Sequence, residues 1–245
     1  MQNASPASAG PVEPGLIEDL VAANRILAHH GIVDGFGHVS VRHNLDSNRY
    51  LMSRSRAPEL VVAEDIMEYD LDSNPVDQRG RVMYHERYIH GEIYKLRPDV
   101  KAVVHNHSPS VIPFGVTPVP LRPVYHMSSF LAAGVPVYEI REAGGMTDML
   151  VSNPALGEAL ARVVGDRPVA LMRGHGAVVV GSSLRVAVYR SIYTEMNARL
   201  QAQAMALGPV TYIAPEEARL FEATVAKALD RPWELWKRAG GARLP

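Results

Sequence analysis

Two histidines separated by one residue, His105 and His107, end the apolar run Ala102-Val-Val-His-Asn-His-Ser-Pro109. Such a run is typical of a buried β-strand, and side chains at positions i and i+2 of a strand lie on the same face. We therefore expect both imidazoles on one side of the strand end, with Asn106 on the other. Two convergent imidazoles are suited to binding a divalent transition metal. The alternative is a pair of hydrogen-bonded histidines with a structural role.

Two further groups could join such a site. Glu86 and His90 lie four residues apart in the segment 84–96, whose apolar spacing predicts a helix, so they share one helix face. His175 stands between two glycines and is flanked by apolar runs that predict strands. Paired glycines allow a close backbone approach or unusual dihedral angles. Each group also has an ordinary interpretation: Glu86 and His90 as a surface pair, and His175 as a structural histidine.

A cationic loop, Ser53-Arg-Ser-Arg-Ala-Pro58, contains Arg54 and Arg56. Arginine can bind a carboxylate through two parallel hydrogen bonds, so this loop could hold an acidic ligand. The alternative is a solvated surface loop. Earlier in the chain, the glycines of Asp34-Gly-Phe-Gly-His38 predict a tight loop that becomes a strand at His38.

Composition narrows the class of protein. The 245 residues are 47% hydrophobic, enough to bury a sizeable core, and the formal net charge is −1. We therefore expect no nucleic-acid partner and no membrane association. There is no cysteine, which excludes disulfides, thiolate metal ligands and a cysteine nucleophile. The first residues lack the pattern of a secretory signal, and we expect a cytoplasmic protein.

Helical and strand patterns alternate along the chain, which predicts a single α/β domain over residues 15–230. We expect a disordered lead over 1–14 and a tail over 231–245, whose Trp233 and Trp236 pack on the core or on a neighbouring subunit. The proline-rich segment 108–123 predicts an ordered but irregular connection. The predicted helices are Pro14–His30, Tyr84–Leu96, Asn153–Val164, Leu184–Leu207 and Pro215–Leu229.

Four pieces in this order resemble the class II aldolase/adducin family. They are Gly35-Phe-Gly-His-Val-Ser-Val-Arg42, Glu86-x3-His90-x2-Ile93-Tyr94, His105-Asn-His107 and Gly174-His-Gly176. The resemblance spans about residues 16–207. It implies a three-layer αβα fold with a central, largely antiparallel β-sheet. It also implies a homotetramer with active sites at subunit interfaces, and a divalent metal bound by His105, His107 and His175, with Glu86 as a ligand or an acid/base.

The sugar-phosphate members of that family carry phosphate-binding turns that this chain lacks. Phe36 and His38 stand in the first turn, Arg54 and Arg56 in the second, and Tyr84-His85 replaces a serine pair. The variant motifs resemble instead the metal-dependent decarboxylases of hydroxylated aromatic dicarboxylates, such as the hydroxymethylpyridine-dicarboxylate and dihydroxyphthalate decarboxylases.

The resemblance implies a non-oxidative decarboxylation in which the metal chelates a ring hydroxyl and the adjacent carboxylate. We expect Mn2+ or Zn2+, or another first-row divalent ion. Glu86 is the first candidate for the acid that protonates the ring carbon, with His38 or Tyr193 as alternatives. The residues expected to contact the substrate are its stacking partner and its carboxylate-binding or pocket residues: Phe36, Arg54, Arg56, Arg173 and His126.

Two alternatives stay open. One is an aldolase or epimerase that acts on a non-phosphorylated hydroxy-keto acid or sugar, because aldol cleavage moves electrons toward a metal in the same way. The other is a non-catalytic, adducin-like interaction module, which needs no intact metal site.

Overall fold

In the described part of the chain, seven strands form a central sheet in the order β3-β2-β1-β4-β7-β6-β5. The computed structural model describes residues 6–241. The strands are β1 His38–Arg42, β2 Arg49–Ser53, β3 Ile66–Asp70, β4 Ala102–Asn106, β5 Val137–Tyr138, β6 Val169–Met172 and β7 Gly176–Gly181. Every neighbouring pair is antiparallel except β5 and β6, which are parallel. The largely antiparallel sheet expected from the sequence is confirmed.

Helices cover both faces of the sheet. The α-helices are α1 Pro14–His29, α2 Tyr88–Leu96, α3 Ile112–Val116, α4 Ile140–Gly144, α5 Pro154–Val164, α6 Leu184–Leu207, α7 Pro215–Val225 and α8 Asp230–Gly241. Within residues 6–241, 3₁₀ segments lie at Pro58–Leu60, Ala63–Asp65, His85–Arg87 and His126–Ala133. None of the helices described between residues 6 and 241 is both long and apolar enough to span a membrane.

Alternation along the strands divides the core into two layers. Val39, Val41 and Val104 belong to one apolar cluster, with residues of α1, α6 and α8. Val103 and Val178 belong to the other, with residues of α2 and α5. Because side chains alternate along a strand, His38, Ser40 and His105 lie on the α2 side. This is the three-layer αβα arrangement.

The two ends of the chain pack on this framework. Trp233 and Trp236 of α8 are buried in the core cluster that also contains α1, as expected for packing of the tail. At the other end, residues 1–5 of the expected disordered lead lie outside the described residues. Within the rest of that lead, Ser8 Oγ and the amide of Ala9 donate hydrogen bonds to the Glu68 carboxylate, at 2.6 and 2.8 Å.

Candidate active site

The antiparallel pairing of three central strands gathers histidines at one edge of the sheet. β1 begins at His38, which lies opposite His105 near the end of β4. β7 begins at Gly176, directly after His175, and pairs with the same end of β4 through Ala177 and Asn106. Residues that are up to 137 positions apart in sequence therefore meet at this edge.

Three histidines and one glutamate converge there. The Nε2 atoms of His105 and His175 each lie 3.1 Å from Nε2 of His107. Oε2 of Glu86 lies 3.4 Å from Nε2 of His105 and 3.5 Å from Nε2 of His175. The four atoms lie within 4.8 Å of one another. Glu86, His105, His107 and His175 are named the convergent cluster below.

Backbone groups fix the orientation of this cluster. Nδ1 of His105 lies 3.3 Å from the carbonyl oxygen of Ala177, and Nδ1 of His175 lies 3.1 Å from that of Met149. A carbonyl oxygen only accepts, so in both rings Nδ1 carries the hydrogen and Nε2 keeps its lone pair toward the cluster. The amide of Val151 donates to the other oxygen of Glu86 at 2.9 Å.

The two glycines around His175 serve different purposes. Gly174 adopts φ +63°, in the left-handed region that favours glycine. Gly176 lies so close to β4 that a Cβ there would collide with the carbonyl oxygen of Asn106. The tight turn before His175 and the close strand contact after it together direct its ring toward His107. The expected dihedral and close-approach roles are both present.

Glu86 is not on the α-helix that its sequence pattern predicts. The α-helix begins at Tyr88, and Glu86 lies in the 3₁₀ turn His85–Arg87 with φ −89° and ψ 20°. This departure from helical geometry accompanies the hydrogen bond from the Val151 amide and directs the carboxylate toward the histidines. The predicted surface pair is wrong as well, because Glu86 and His90 are both buried.

The donor set fits a divalent first-row metal. Donors about 2.1 Å from a metal at the centre of a tetrahedron are about 3.4 Å apart, close to the separations in the convergent cluster. Burial raises the pKa of Glu86, but interactions with the neighbouring His105 and His175 lower it by more, so the carboxylate is ionised. Burial, with the neighbouring His105 and His175, lowers the pKa of His107 to about 4, which leaves its lone pair free at neutral pH.

A second set of buried side chains leads away from the cluster. Nδ1 of His38 lies 2.6 Å from Nε2 of His90, whose Nδ1 lies 2.6 Å from Oγ of Ser40. The Ser40 hydroxyl lies 2.8 Å from that of Tyr94. His38 and Ser40 are two apart on β1, and His90 and Tyr94 are four apart on α2. The strand period and the helix period therefore bring these four side chains, named the relay chain below, into a line.

An open cavity of about 390 Å³ adjoins both sets. This size is within the range of small-molecule sites. Phe36 is 70% exposed at the cavity, with its ring centroid 6.4 Å from that of His107. The residues that line the cavity come from loops, from the 3₁₀ turn His85–Arg87 and from both sets of side chains: Gly35, Phe36, Gly37, His38, Ser55, Arg56, Ala57, Tyr84, His85, Glu86, His107 and Leu150.

The three candidate arginines are all paired with carboxylates of the chain. Nε of Arg54 and NH1 of Arg56 lie 2.6 and 2.9 Å from the two oxygens of Asp65. Nε of Arg173 lies 2.5 Å from Oε2 of Glu139. Only Arg56 of the three belongs to the described cavity lining.

The structure does not bring Tyr193 or His126 into that lining within one chain, as far as the described residues show. Tyr193 packs in an aromatic group with Tyr189, at 4.6 Å between ring centroids, and with Trp236. His126 is exposed, and its ring packs edge-on against Phe221. Both therefore lie among the helices on the α6 side of the sheet.

Several residues of the site were not expected from the sequence. Ser40 and Tyr94 extend the relay chain inward. Asp65 engages both loop arginines, and the Tyr84 hydroxyl contacts the backbone of Arg56. The first two could have been found from their spacing: Ser40 is two residues after His38 on a strand, and Tyr94 is four after His90 on a helix.

Comparison with known proteins gives a consistent family. Residues 18–202 match the family described as Class II Aldolase and Adducin N-terminal domain. Decarboxylase tropJ of Talaromyces stipitatus is 37% identical over 246 residues, which cover 91% of this chain and 92% of that protein. The 3,4-dihydroxyphthalate decarboxylase of Arthrobacter keyseri is 34% identical over 209 residues, 79% of this chain and 80% of that protein.

Solved structures agree on the fold. L-fuculose 1-phosphate aldolase from Glaciozyma antarctica superimposes with a TM-score of 0.77 at 22% identity, covering 94% of this chain and 93% of that one. At this identity the likeness concerns the fold alone.

Proposed function

Because this chain belongs to the class II aldolase and adducin family, we propose that it is a metal-dependent decarboxylase of a hydroxylated aromatic dicarboxylate. Its decarboxylase relatives, 32–37% identical over most of the chain, support a carboxy-lyase. The observation that carries the proposal is the convergence of three imidazole nitrogens and one carboxylate oxygen beside a cavity of suitable size.

The convergent cluster would hold the metal, which is Mn2+, Zn2+ or another first-row divalent ion. When bound, a divalent cation supplies Lewis-acid stabilisation of the negative charge that develops as CO2 leaves. Glu86 contributes a negative charge that partly balances the cation. The Ala177, Met149 and Val151 backbone groups hold the donors in place, so little reorganisation accompanies binding.

Decarboxylation also needs a proton. The bond between the ring and the departing carboxylate breaks, its electron pair stays on the ring carbon, and a proton must form the new C–H bond. His38 lines the cavity through a ring whose Nδ1 is already engaged by His90, which leaves Nε2 for the substrate. Glu86 is the other candidate acid, but its low pKa and its place in the cluster favour the ligand role. Tyr193 is the least favoured of the three candidate acids, because it lies outside the described cavity lining.

The substrate's second carboxylate is proposed to bind Arg56. Arg56 shares Asp65 with Arg54, and Asp65 fixes the guanidinium at the edge of the cavity. Charge-assisted hydrogen bonds from an arginine suit a planar carboxylate. The exposed ring of Phe36 is proposed to stack on the aromatic ring of the substrate.

The remaining predicted contacts, Arg54, Arg173 and His126, need a rearrangement or a second subunit to reach the substrate. A homotetramer with sites between subunits would give the exposed His126 such a route, and the assembly stays a prediction.

The experiment that tests the function is direct. Purified protein is incubated with 3,4-dihydroxyphthalate, and CO2 release and the monocarboxylate product are measured. We expect turnover that a chelator abolishes and that Mn2+ or Zn2+ restores. Phthalate, which has both carboxylates but no ring hydroxyl, is the matched control and should not react.

Other outcomes favour the alternatives. Release of pyruvate or glycolaldehyde from a hydroxy-keto acid, without CO2 release from hydroxylated phthalates or pyridine dicarboxylates, would favour aldolase chemistry. Absence of stoichiometric metal, together with no effect of a chelator, would favour a non-catalytic module.

A further inference from the structure

The relay chain crosses the interface between the sheet and α2. Its four side chains, His38, Ser40, His90 and Tyr94, are each at least 97% buried. Three hydrogen bonds of 2.6, 2.6 and 2.8 Å join them in a line from the cavity to the core. The hydrogens of such a line can point in either of two directions, and the two directions give His38 different chemistry toward the cavity.

The Tyr94 hydroxyl, at the inner end of the relay chain, determines the direction of these hydrogen bonds. Among residues 6–241, the side-chain hydrogen-bond partner found for the Tyr94 hydroxyl is Ser40. A buried hydroxyl hydrogen without an acceptor is costly, so the Tyr94 O–H donates to Ser40 Oγ. The Ser40 O–H then has His90 Nδ1 as its acceptor, and each remaining hydrogen is determined in turn.

The consequence reaches the cavity. With Nδ1 of His90 accepting from Ser40, the hydrogen of neutral His90 is on Nε2 and is donated to Nδ1 of His38. His38 therefore accepts at Nδ1 and carries its own hydrogen on Nε2, the nitrogen left for the cavity. The opposite direction would leave the Tyr94 hydrogen without a partner and would give His38 a lone pair at Nε2.

We propose that Ser40 and Tyr94 are positioning residues that, through His90, hold His38 in the tautomer that presents an N–H donor to the substrate. The inference rests on the proposed function for the identity of that substrate, but the tautomer itself is a property of the resting protein. An N–H donor at this position can bind a carboxylate or hydroxyl oxygen, or lie beside the ring carbon that must gain a proton. A lone pair would instead repel a carboxylate oxygen and would have no hydrogen to offer to the ring carbon.

Nitrogen-15 NMR of histidine-labelled protein reads the tautomer without turnover. The protein is loaded with diamagnetic Zn2+, and the signals of His38 are identified by their loss in His38→Gln. We expect Nε2 of His38 in its protonated form and Nδ1 in its unprotonated form. Protonated Nδ1 with unprotonated Nε2 would overturn the proposal, whether or not the decarboxylase assignment holds.

Variants of the inner residues of the relay chain extend the test. Ser40→Ala removes the donor to His90, so we expect His38 to exchange between tautomers and kcat to fall about tenfold, with KM and metal content changed by less than about twofold. Tyr94→Phe leaves the Ser40 hydroxyl in place and should lower kcat by a smaller factor. An unchanged tautomer and unchanged kcat in Ser40→Ala would contradict the proposal.

Tyr69→Phe is the matched control. Tyr69 is a fully buried tyrosine of the same core cluster, and the hydrogen bond found for its hydroxyl among the described residues goes to the sulfur of Met67. It should leave both the His38 spectrum and kcat unchanged. If Tyr69→Phe and Tyr94→Phe lower kcat equally, with no change in the spectrum, the Tyr94 hydroxyl has only a packing role and the proposal fails.

Discussion

Two sets of buried or half-buried histidines lie side by side at this edge of the sheet, and their nitrogens are arranged differently. In the convergent cluster, His105 and His175 direct Nδ1 to backbone carbonyls and Nε2 inward to a shared point. In the relay chain, His38 and His90 bind each other, and His90 also binds Ser40.

The difference shows what decides the role of a buried imidazole. A ring with a backbone acceptor on one nitrogen can offer the lone pair of the other to a ligand. A ring with side-chain partners on both nitrogens is satisfied within the protein and serves orientation instead. The two loop arginines differ in position instead: Arg56 lines the cavity, whereas Arg54, which has the same carboxylate partner Asp65, lies outside the described cavity lining.

The largest expected effect follows from removing one convergent ligand. His107→Ala takes away the nitrogen that lies nearest to both other imidazoles, so we expect loss of metal binding and a fall in kcat of at least about 10³-fold. Metal analysis after dialysis and the CO2 assay check it. His85→Ala, which changes an exposed histidine of the cavity, should keep its metal. Full metal occupancy in His107→Ala would count against the site.

Removing a relay histidine should lower kcat without loss of the metal. His90→Gln keeps a polar side chain between His38 and Ser40 but loses the imidazole, so we expect kcat to fall about 10–100-fold while one metal ion per chain remains bound. The same metal analysis and assay are used. Metal loss in His90→Gln would show that the two sets act as one and would remove the distinction drawn between them.

The two arginines of Asp65 provide a narrower test. Arg56→Ala should raise KM for a hydroxylated dicarboxylate about tenfold, and raise KM for the corresponding monocarboxylate much less, because only the former has a second carboxylate to lose its partner. Arg54→Ala is the matched variant, since it also removes one partner of Asp65. Equal KM effects of both variants on both substrates would eliminate Arg56 as a carboxylate-binding residue.

The smallest effect concerns stability and pH. Burial raises the pKa of Asp65, but hydrogen bonds from the Val62 amide and Arg54, with the charges of Arg56 and Arg54, lower it below its usual value. The ionised carboxylate therefore stabilises the fold at neutral pH, and this contribution is lost as the pH falls through the lowered pKa. Asp65→Asn should lower the free energy of unfolding by about 1 kcal/mol at neutral pH, and by less near about pH 3.

Urea unfolding at both pH values measures that difference. Asp77→Asn is the control, because Asp77 pairs with the exposed Arg79 and should have little effect. A destabilisation by Asp65→Asn that stayed constant over this pH range would show that the carboxylate charge is unimportant.

Local periodicity predicted much of this arrangement. The i, i+2 spacing placed His105 and His107 on one face, and the glycines around His175 indicated the unusual dihedral angle and the close backbone approach found there. The helix pattern predicted a regular helix that includes Glu86, but the α-helix begins only at Tyr88. The Val151 amide that binds the Glu86 carboxylate is 65 residues away in sequence, so local spacing could not show this contact.

What the sequence could not supply is the pairing between elements. Arg54 and Arg56 form a cationic loop that predicts an acidic ligand, and the acid they contact is Asp65, brought back by the 3₁₀ turn Ala63–Asp65. The relay chain combines two residues spaced two apart on a strand with two residues spaced four apart on a helix. Neither spacing alone shows that β1 packs against α2. Such contacts depend on the register of the sheet and on the packing of helices, which are set by the whole core.

The central claim is that the convergent cluster binds one divalent ion, and calorimetric titration of chelator-treated protein with Zn2+ or Mn2+ tests it most directly. We predict one ion per chain for the wild-type protein and no comparable binding for His107→Ala. Absence of saturable binding of either ion to the folded wild-type protein, or the same stoichiometry and affinity in His107→Ala, would contradict the account.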